Sequence, residues 1–461
     1  MRLVYRIKQA MLATGDWVIF YITFWLSLSI RNWQIPNWQT IEKNLDLFSI
    51  LFIVWLLLNY INGLYDLLKI KGQLFRRHFI ESAIMSLVIS VLIIYILPTR
   101  GIVPKTILLL NIFLGYLLSY VWKIIFNKYI NTKTLKTNVI FIGLDKETLE
   151  ITKIIQRYPE KGYLTKALID PEKHTGSDEF PFFDVYHDLS ILKTKIDDYK
   201  ASLLVIANHL KTDTETLKEL YRLLFYNIKI VDTSSFYEEI TGRIPPSVFS
   251  EGWFLEHLQT RQIVHEKIKN FYDYTAGVIM GLCFIVLFPF IALTIKTNSK
   301  GSIFFTQARV GKNGKIFTLY KFRSMYVLAD DGSAEISGAE FAQKNDKRIT
   351  FVGNFLRKTR LDELPQFINI FKGDISLIGP RPERPEIVEQ LKKLMPYYDL
   401  RHTIKPGLTG WAVIHQHYTN NLESSLQKLQ YDLYYIKNRS ILLDISILLK
   451  TINVVIRMMG Q

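Results

Sequence analysis

Four long apolar stretches crowd the first part of this chain: roughly Met11–Ile30, Leu47–Tyr60, Phe79–Leu97 and Val103–Phe126. Most approach the ~20 residues that a bilayer-spanning helix needs, and the second reaches that length if Ile61–Leu68 extends it. Hydrocarbon offers the backbone no hydrogen-bond partner, so each such stretch is expected to be helical. Asp16, inside the first, reads as a paired or interfacial carboxylate rather than a proton relay. Basic residues set the orientation. Arg2, Arg6 and Lys8 precede the first stretch, Lys69, Lys71, Arg76 and Arg77 separate the second from the third, and Lys123, Lys128, Lys133 and Lys136 crowd the end of the fourth. The other two loops hold only Arg31, Lys43, Arg100 and Lys105. An excess of Lys and Arg marks cytoplasmic loops, so the N-terminus and everything after the fourth stretch are expected in the cytoplasm. No small-residue cleavage site follows the first apolar run, so a removable signal peptide is not expected.

A chain of 461 residues with net charge +15 has room for two or three domains and suits anionic partners: nucleic acid, acidic lipid or phosphorylated substrates. The single cysteine, Cys283, excludes an internal disulfide framework and a cysteine-based zinc site.

After the four apolar stretches the pattern changes. Asn138–Gly143, Leu164–Asp170, Ser202–Ala207 and Ile228–Val231 read as buried strands, with helices from about Lys146 and near Thr214–Tyr226. Alternating strands and helices imply a parallel α/β sheet. The turn after the first strand carries only Gly143, not GxGxxG, so a bound dinucleotide is disfavoured and a structural or regulatory domain is expected. Glu238–Trp253, with its Gly and Pro residues, reads as a linker.

Tyr274–Ile295 is a fifth apolar segment, long enough to cross a membrane. Pro289 inside it is a helix breaker. Lys267 and Lys269 flank one end and Lys296 and Lys300 the other, so both ends carry the mark of the same side. A re-entrant helix, broken at Pro289 and dipping into one leaflet, is expected.

The stretch Ile349–Pro385 holds the densest chemistry: Asp362 and Glu363 lie between Arg357 and Arg360 on one side and Arg381 and Arg384 on the other. Apolar residues recur around them at helical spacing, with a break near Thr359–Asp362 and Pro365 in the following first turn. DISLIGPRPERP then reads as a short buried strand running into a proline-braced loop. A carboxylate pair among guanidiniums is suited to phosphoryl chemistry, because a carboxylate can attack phosphorus or hold a divalent metal while arginines grip phosphate oxygens. Upstream, Phe304–Met325 is expected to form a hairpin turning at Gly311–Gly314, with Lys321 and Arg323 on one face. Val327–Asn345 reads as a polar loop and Pro406–Gly410 as a tight turn. Ile441–Met459 is amphipathic and suits either the membrane interface or the domain's own core.

Taken together in this order, FFTQARVGKNGKIFTLYKFRSM, RKTRLDELPQFINIFKGDISLIGPRPERPE and KPGLTGWA resemble the catalytic domain of bacterial polyprenyl-phosphate phosphoglycosyl transferases of the monotopic type. The apolar stretches and the α/β domain resemble the enlarged members that initiate exopolysaccharide, capsule or O-antigen repeat units. The resemblance implies transfer of a sugar 1-phosphate from a UDP-sugar to undecaprenyl phosphate with release of UMP. It implies Asp362 as the nucleophile that forms an aspartyl-phosphosugar, Glu363 as its assistant, and Mg2+ between carboxylate and diphosphate with Asp362 and Glu363 as its protein ligands. It further matches Lys321, Arg323, Arg357, Arg381 and Asp432 to substrate-binding positions, and Pro289 to the break in a re-entrant helix. The family usually continues Gln-Val-Asn after PGLTGWA; here the chain reads Val413-Ile414-His415-Gln416-His417, and His415 or His417 stands where the nucleotide contact is expected.

The expected architecture is a membrane protein of α plus α/β class. Its parts are a four-helix transmembrane domain over 1–135, a Rossmann-like cytoplasmic domain and linker over 136–260, and a catalytic domain over 261–461 with the re-entrant helix at about 272–297. The expected location is the bacterial inner membrane, with the catalytic domain on the cytoplasmic side, and the large N-terminal half leaves room for a homodimer. The rival readings are a membrane-anchored nucleotide sensor without catalysis, a transporter and a nucleic-acid binder. A lone intramembrane Asp16 makes a poor permeation path, and no nucleic-acid-binding module is recognisable. The choice of sugar depends on a pocket shape that the sequence does not spell out.

Overall fold

The computed structural model describes residues 2–67, 73–96, 105–131, 136–158, 161–172, 183–226, 228–258, 262–328, 346–416 and 422–456. The chain forms two compact units, Met1–Glu239 and Ile240–Gln461.

The first unit opens with helices α1 (Arg2–Asn32), α2 (Trp38–Ile61), α3 (Gln73–Ile96) and α4 (Lys105–Phe126), each holding a segment long and apolar enough to cross a membrane. Their interior is aromatic, with Phe20, Phe24, Phe48, Phe52 and Trp55 buried together, while Ile53, Ile80 and Phe113 face outward. Polar groups therefore sit inside. The fully buried Asp16 accepts from Tyr65 Oη at 2.8 Å and Ser119 Oγ at 2.7 Å, and it is ion-paired to the fully buried Lys123. This is the paired carboxylate expected from the sequence, and it joins α1 to α4.

The α/β part follows: β1 (Thr137–Ile142), α5 (Lys146–Arg157), β2 (Tyr163–Ile169), β3 (Val185–Tyr186), α6 (Leu192–Tyr199), β4 (Leu203–Ile206), α7 (Thr214–Arg222), β5 (Lys229–Asp232) and α8 (Thr233–Thr241). The strands form a parallel sheet in the order β3-β2-β1-β4-β5. Strand order reverses between β1 and β4, where ligands of such sheets usually sit. Here the turn after β1 packs tightly on the segment after β4. Gly143 has φ +77°, and a Cβ on it would stand 2.6 Å from both Ala207 Cβ and Leu210 Cδ1. The N-terminus of α5, which would receive a phosphate, is capped by the protein's own Asp145, whose Oδ1 accepts from Thr148 N at 2.7 Å. Both observations agree with the missing glycines.

The second unit contains α9 (Glu251–His257), α10 (Ile263–Asn298), the hairpin β6 (Phe304–Val310) and β7 (Ile316–Phe322), α11 (Phe351–Thr359), a 3-10 turn (Leu361–Gln366), α12 (Phe367–Lys372), β8 (Ser376–Ile378), α13 (Pro385–Leu394), β9 (Gly407–Thr409), α14 (Trp411–His415), α15 (Leu422–Asn438) and α16 (Ile441–Ile456). The stretch Glu238–Trp253, expected to be a linker, is partly core: Ile244 is buried with Tyr398, Leu429 and Tyr434, and Val248, Phe249 and Trp253 pack against that cluster. Pro406–Gly410 is not an isolated turn either. Gly407–Thr409 pairs in parallel with Ser376–Ile378, and glycine permits the approach, since a Cβ on Gly407 would lie 2.0 Å from Gly379 N. α16 buries Ile447 in the core and exposes Leu442 and Ile445. Most of the expected loop Val327–Asn345 lies outside the described residues.

Helix α10 is a single helix of 36 residues with Pro289 inside it, so the helix break expected there is absent. Proline removes one donor and crowds the preceding turn, yet its fixed φ is compatible with a helix. Packing holds the helix through the site. Phe284 and Phe288 stack on Phe322 before Pro289, and Ile291 and Ile295 bury against Phe322, Leu356 and Leu364 after it. Earlier in the helix, Gly277 and Gly281 admit Phe371 and Phe367. The opposite edge is apolar and exposed, with Leu282, Ile285, Val286, Phe290 and Leu293 each at least 60% exposed.

Candidate active site

The Asp362–Glu363 pair owes its position to a break in the chain direction. α11 ends at Arg360, which takes a left-handed conformation (φ 55°, ψ 19°), and the chain then tightens into the 3-10 turn Leu361–Gln366. Pro365 is tolerated in this short turn, which needs few backbone donors. Leu364 points into the apolar cluster shared with Ile291 and Ile295 of α10. The turn is thus seated on the long apolar helix by one side, while Glu363 meets Lys321 of β7 and Arg381 of the proline-rich loop after β8.

The two adjacent carboxylates differ sharply in their surroundings. Glu363 Oε1 accepts from Lys321 Nζ at 3.2 Å and Arg381 Nη2 at 2.9 Å, and its Oε2 accepts from Arg360 Nη1 at 3.4 Å. Burial would push the Glu363 carboxyl up, but Lys321, Arg381 and Arg360 together hold it well below the usual carboxylate range. Asp362 is only 6% exposed, yet no hydrogen bond or ion pair reaches its carboxylate among the described residues. Burial pushes Asp362 up to about 6, with Lys321 pulling it down and the charge of Glu363 pushing it further up. At neutral pH it is therefore an ionised, poorly solvated carboxylate without a partner. The Arg357 guanidinium also has no hydrogen bond or ion pair among the described residues and acts on Asp362 through its charge. The arrangement offers an uncommitted carboxylate, a cation free to take an anion, and three further cations held in place by a counter-ion.

The family described as "Bacterial sugar transferase" matches residues 264–458. A UDP-N-acetylgalactosamine-undecaprenyl-phosphate N-acetylgalactosaminephosphotransferase of Aeromonas hydrophila is 38% identical over 248 residues, 52% of this chain and 55% of its own. A UDP-glucose:undecaprenyl-phosphate glucose-1-phosphate transferase of Klebsiella pneumoniae is 32% identical over 341 residues, 69% of this chain and 67% of its own. The chain belongs to the bacterial sugar transferase family. It spans about half the length of the Aeromonas relative. The Klebsiella alignment is longer than residues 264–458, so likeness extends into the first unit. The sugar transferase EpsL of Bacillus subtilis (strain 168), 36% identical, matches only 41% of this chain but 87% of its own length.

Of the site residues expected from the sequence, this sugar transferase brings Lys321, Arg357, Arg381, Asp362 and Glu363 together. It places Arg323 elsewhere. Arg323 Nη1 donates to Lys300 O at 2.7 Å and its Nη2 to Ser299 O at 2.8 Å, so it caps the end of α10. The strand ends at Phe322, and the alternation that put Lys321 and Arg323 on one face ends with it. Asp432, expected to touch substrate, is 1% exposed and ion-paired to Arg401 at 2.8 Å. His415 folds back on its own helix, with Nδ1 2.9 Å from Trp411 O and its ring stacked on Tyr431. His417 lies outside the described residues.

The sequence reading missed Arg401, Arg309, Glu383 and Lys428, which surround the loop bearing Arg381. Arg309 and Lys428 are ion-paired with Glu383, and the three cations Lys428, Arg401 and Arg309 bring Glu383 to about 2 against the upward push of burial. Glu383 belongs to the loop itself, the three cations come from β6, the segment after α13 and α15, and nothing in their local spacing signals that they meet.

Among the described residues no three His, Cys, Asp or Glu side chains converge on one point. A divalent ion would therefore find a single uncommitted carboxylate, Asp362. Mg2+ is commonly held by one or two carboxylates plus substrate phosphates and water, so Asp362 fits, whereas Glu363 is already committed to three cations.

Proposed function

We propose that this protein transfers a hexose 1-phosphate from a UDP-sugar to undecaprenyl phosphate, releasing UMP, as the first membrane step in building a polysaccharide repeat unit. The observation that carries the reading is the buried, ionised and unpartnered Asp362 beside cations suited to a diphosphate. In the first half-reaction an Asp362 carboxylate oxygen attacks the phosphorus bearing the sugar. The bond from that phosphorus to the bridging oxygen breaks, and UMP leaves with that oxygen. In the second, an oxygen of undecaprenyl phosphate attacks the same phosphorus, the acyl-phosphate bond breaks, and Asp362 is regenerated as a carboxylate. Arg357, Lys321 and Arg381 stabilise charge on the phosphoryl oxygens, each such contact being worth roughly 3–4 kcal/mol in the transition state. Asp362 is the residue that would hold Mg2+, and the ion would supply further charge neutralisation when bound. Dividing the displacement into two steps means that the soluble donor and the lipid acceptor need not be bound together.

This reading places the protein in the bacterial inner membrane with both units' polar parts in the cytoplasm, four helices crossing and α10 embedded from the cytoplasmic side without crossing. Support for the last point is that α10 packs on its own domain from its first turns to its last. Asp273 Oδ1 accepts from Ser376 Oγ at 2.9 Å and Leu377 N at 2.8 Å near one end, and Arg323 holds the other. The test is incubation of purified protein with UDP-sugar alone. Stoichiometric UMP and a sugar-phosphate adduct on Asp362 are expected; turnover without any such adduct overturns the covalent route, and no UMP with any UDP-sugar overturns the activity.

A further inference from the structure

The loop that carries Arg381 is held in an unusual way. Pro380 and Pro382 fix φ on both sides of Arg381 and remove two donors. Four successive carbonyls, residues 380 to 383, then each accept a hydrogen bond from outside the loop. Pro380 O takes Gly407 N at 2.8 Å, Arg381 O takes Arg401 Nη2 at 2.8 Å, Pro382 O takes Arg309 Nη1 at 3.1 Å, and Glu383 O takes Val310 N at 2.9 Å. The contact to Arg381 itself comes from Arg401, a guanidinium only 2% exposed. A charge buried that deeply needs a counter-charge, and Asp432 provides it at 2.8 Å to the same Nη2. Tyr398 Oη accepts from the other terminal nitrogen. Asp432, Arg401 and the Arg381 backbone thus form one line ending at the guanidinium that meets Glu363.

We infer that Asp432 and Arg401 are positioning residues for Arg381: the buried pair fixes the Arg381 backbone, and so fixes where its guanidinium stands between Glu363 and a substrate phosphate. This rests on the function proposed above. It reassigns Asp432 from substrate contact to an indirect role. Removing the Asp432 charge takes away the acid nearest to Arg401 and leaves it only Glu383, 4.0 Å from its Nη1, which frees Nη2 to turn away from the Arg381 carbonyl. A phosphate contact displaced by about 1 Å can cost 10²-fold in rate.

The test is a double-mutant cycle on kcat in the full-length enzyme, with undecaprenyl phosphate and a UDP-hexose that the wild type accepts. Asp432→Asn keeps the shape and is expected to lower kcat roughly 10- to 100-fold with KM for the donor changed much less. Arg401→Lys keeps the charge but cannot bond Asp432 and the carbonyl in the same fork, and is expected to behave alike. In an Arg381→Ala background both changes are expected to cost less than about threefold, because the residue they position is gone. Thermal unfolding of each variant shows whether the fold survives. Multiplying effects of Asp432→Asn and Arg381→Ala overturn the inference, as they would if Asp432 touched substrate. Loss of fold in both Asp432→Asn and Arg401→Lys also overturns it, because the pair then serves only the core. Failure of the proposed function is distinguishable, since the wild type would then release no UMP.

Discussion

Arg381 Nη2 stands 2.9 Å from Glu363 Oε1, and this contact helps to decide which of two neighbouring carboxylates is left uncommitted. With Lys321 and Arg360 also on Glu363, the positive charge of the site is gathered on one side chain and Asp362 is spared. The two acids are therefore not equivalent under substitution. Asp362→Asn removes the attacking oxygen's charge and is expected to lower UMP release by about 10³-fold or more, with no adduct formed. Glu363→Gln keeps one acceptor for Arg381 and Lys321 but loosens their geometry, for an expected loss of roughly 10- to 10²-fold with the adduct still detectable. Single-turnover UMP release and intact-protein mass measure both. Equal losses, with adduct absent in each, would mean that the acids share one role.

The pH dependence follows from Asp362, whose carboxyl is raised from 3.8 to about 6 by burial. The proposed attack needs the ionised form, so the rate of adduct formation in the free enzyme is expected to fall about tenfold per pH unit below pH 6 and to level off above it. Stability runs the other way. Between pH 3.8 and about 6 the folded protein holds a proton that the unfolded chain has released, so this group makes folding less favourable as pH rises through that window. Asp362→Asn is thus expected to raise Tm at pH 7 and to leave it nearly unchanged below pH 4. A variant that loses activity without gaining stability at neutral pH would argue that Asp362 is paired after all.

Much of this was legible from residue order. The break before Asp362 appeared as a change in apolar spacing and is the left-handed Arg360. The strand run Asn138–Gly143 foretold β1, and its glycine marks the turn that packs on Ala207 and Leu210. What stayed hidden depends on long-range geometry. Strand alternation assigned Lys321 and Arg323 to one face, but the strand stops between them and Arg323 turns to the carbonyls ending α10. Arg401 had no visible role, because its partners Arg381 and Asp432 lie 20 and 31 residues away along the chain. Pro289 was read as a break because local rules describe an isolated helix, whereas Phe284, Phe288, Ile291 and Ile295 hold this one from outside.

In the helical bundle, Asp16 and Lys123 neutralise each other with no exposed surface on either side chain. Lys123→Met leaves the Asp16 charge with only Tyr65, Ser119 and Asn59 as neutral donors. Breaking a buried pair on one side costs roughly 3–5 kcal/mol, whereas replacing both members is often close to neutral. Lys123→Met is therefore expected to lower the yield and Tm of protein in nanodiscs, and the double change Asp16→Asn with Lys123→Met to recover most of the loss. A single variant as stable as wild type would mean that water reaches the pair.

The placement of α10 can be settled with the same chemistry that its lone thiol makes awkward. Cys283 is exposed on the helix and must first be replaced by Ser. New cysteines at Glu266 and Lys300 then report the two ends of α10. At ~1.5 Å per residue a helix of this length reaches about 54 Å, long enough to cross a bilayer of ~30 Å, so length alone decides nothing. Packing supports the proposed non-crossing placement: a straight crossing would drag Phe322, Leu356 and Leu364, and with them the Asp362 turn, into or through the hydrocarbon. Both cysteines are therefore expected to resist an impermeant thiol reagent in intact cells and to react with it in inside-out vesicles. Reaction of one end in intact cells and of the other only in inverted vesicles would make α10 a fifth crossing, and would put the Asp362 turn on the far side from cytoplasmic UDP-sugars.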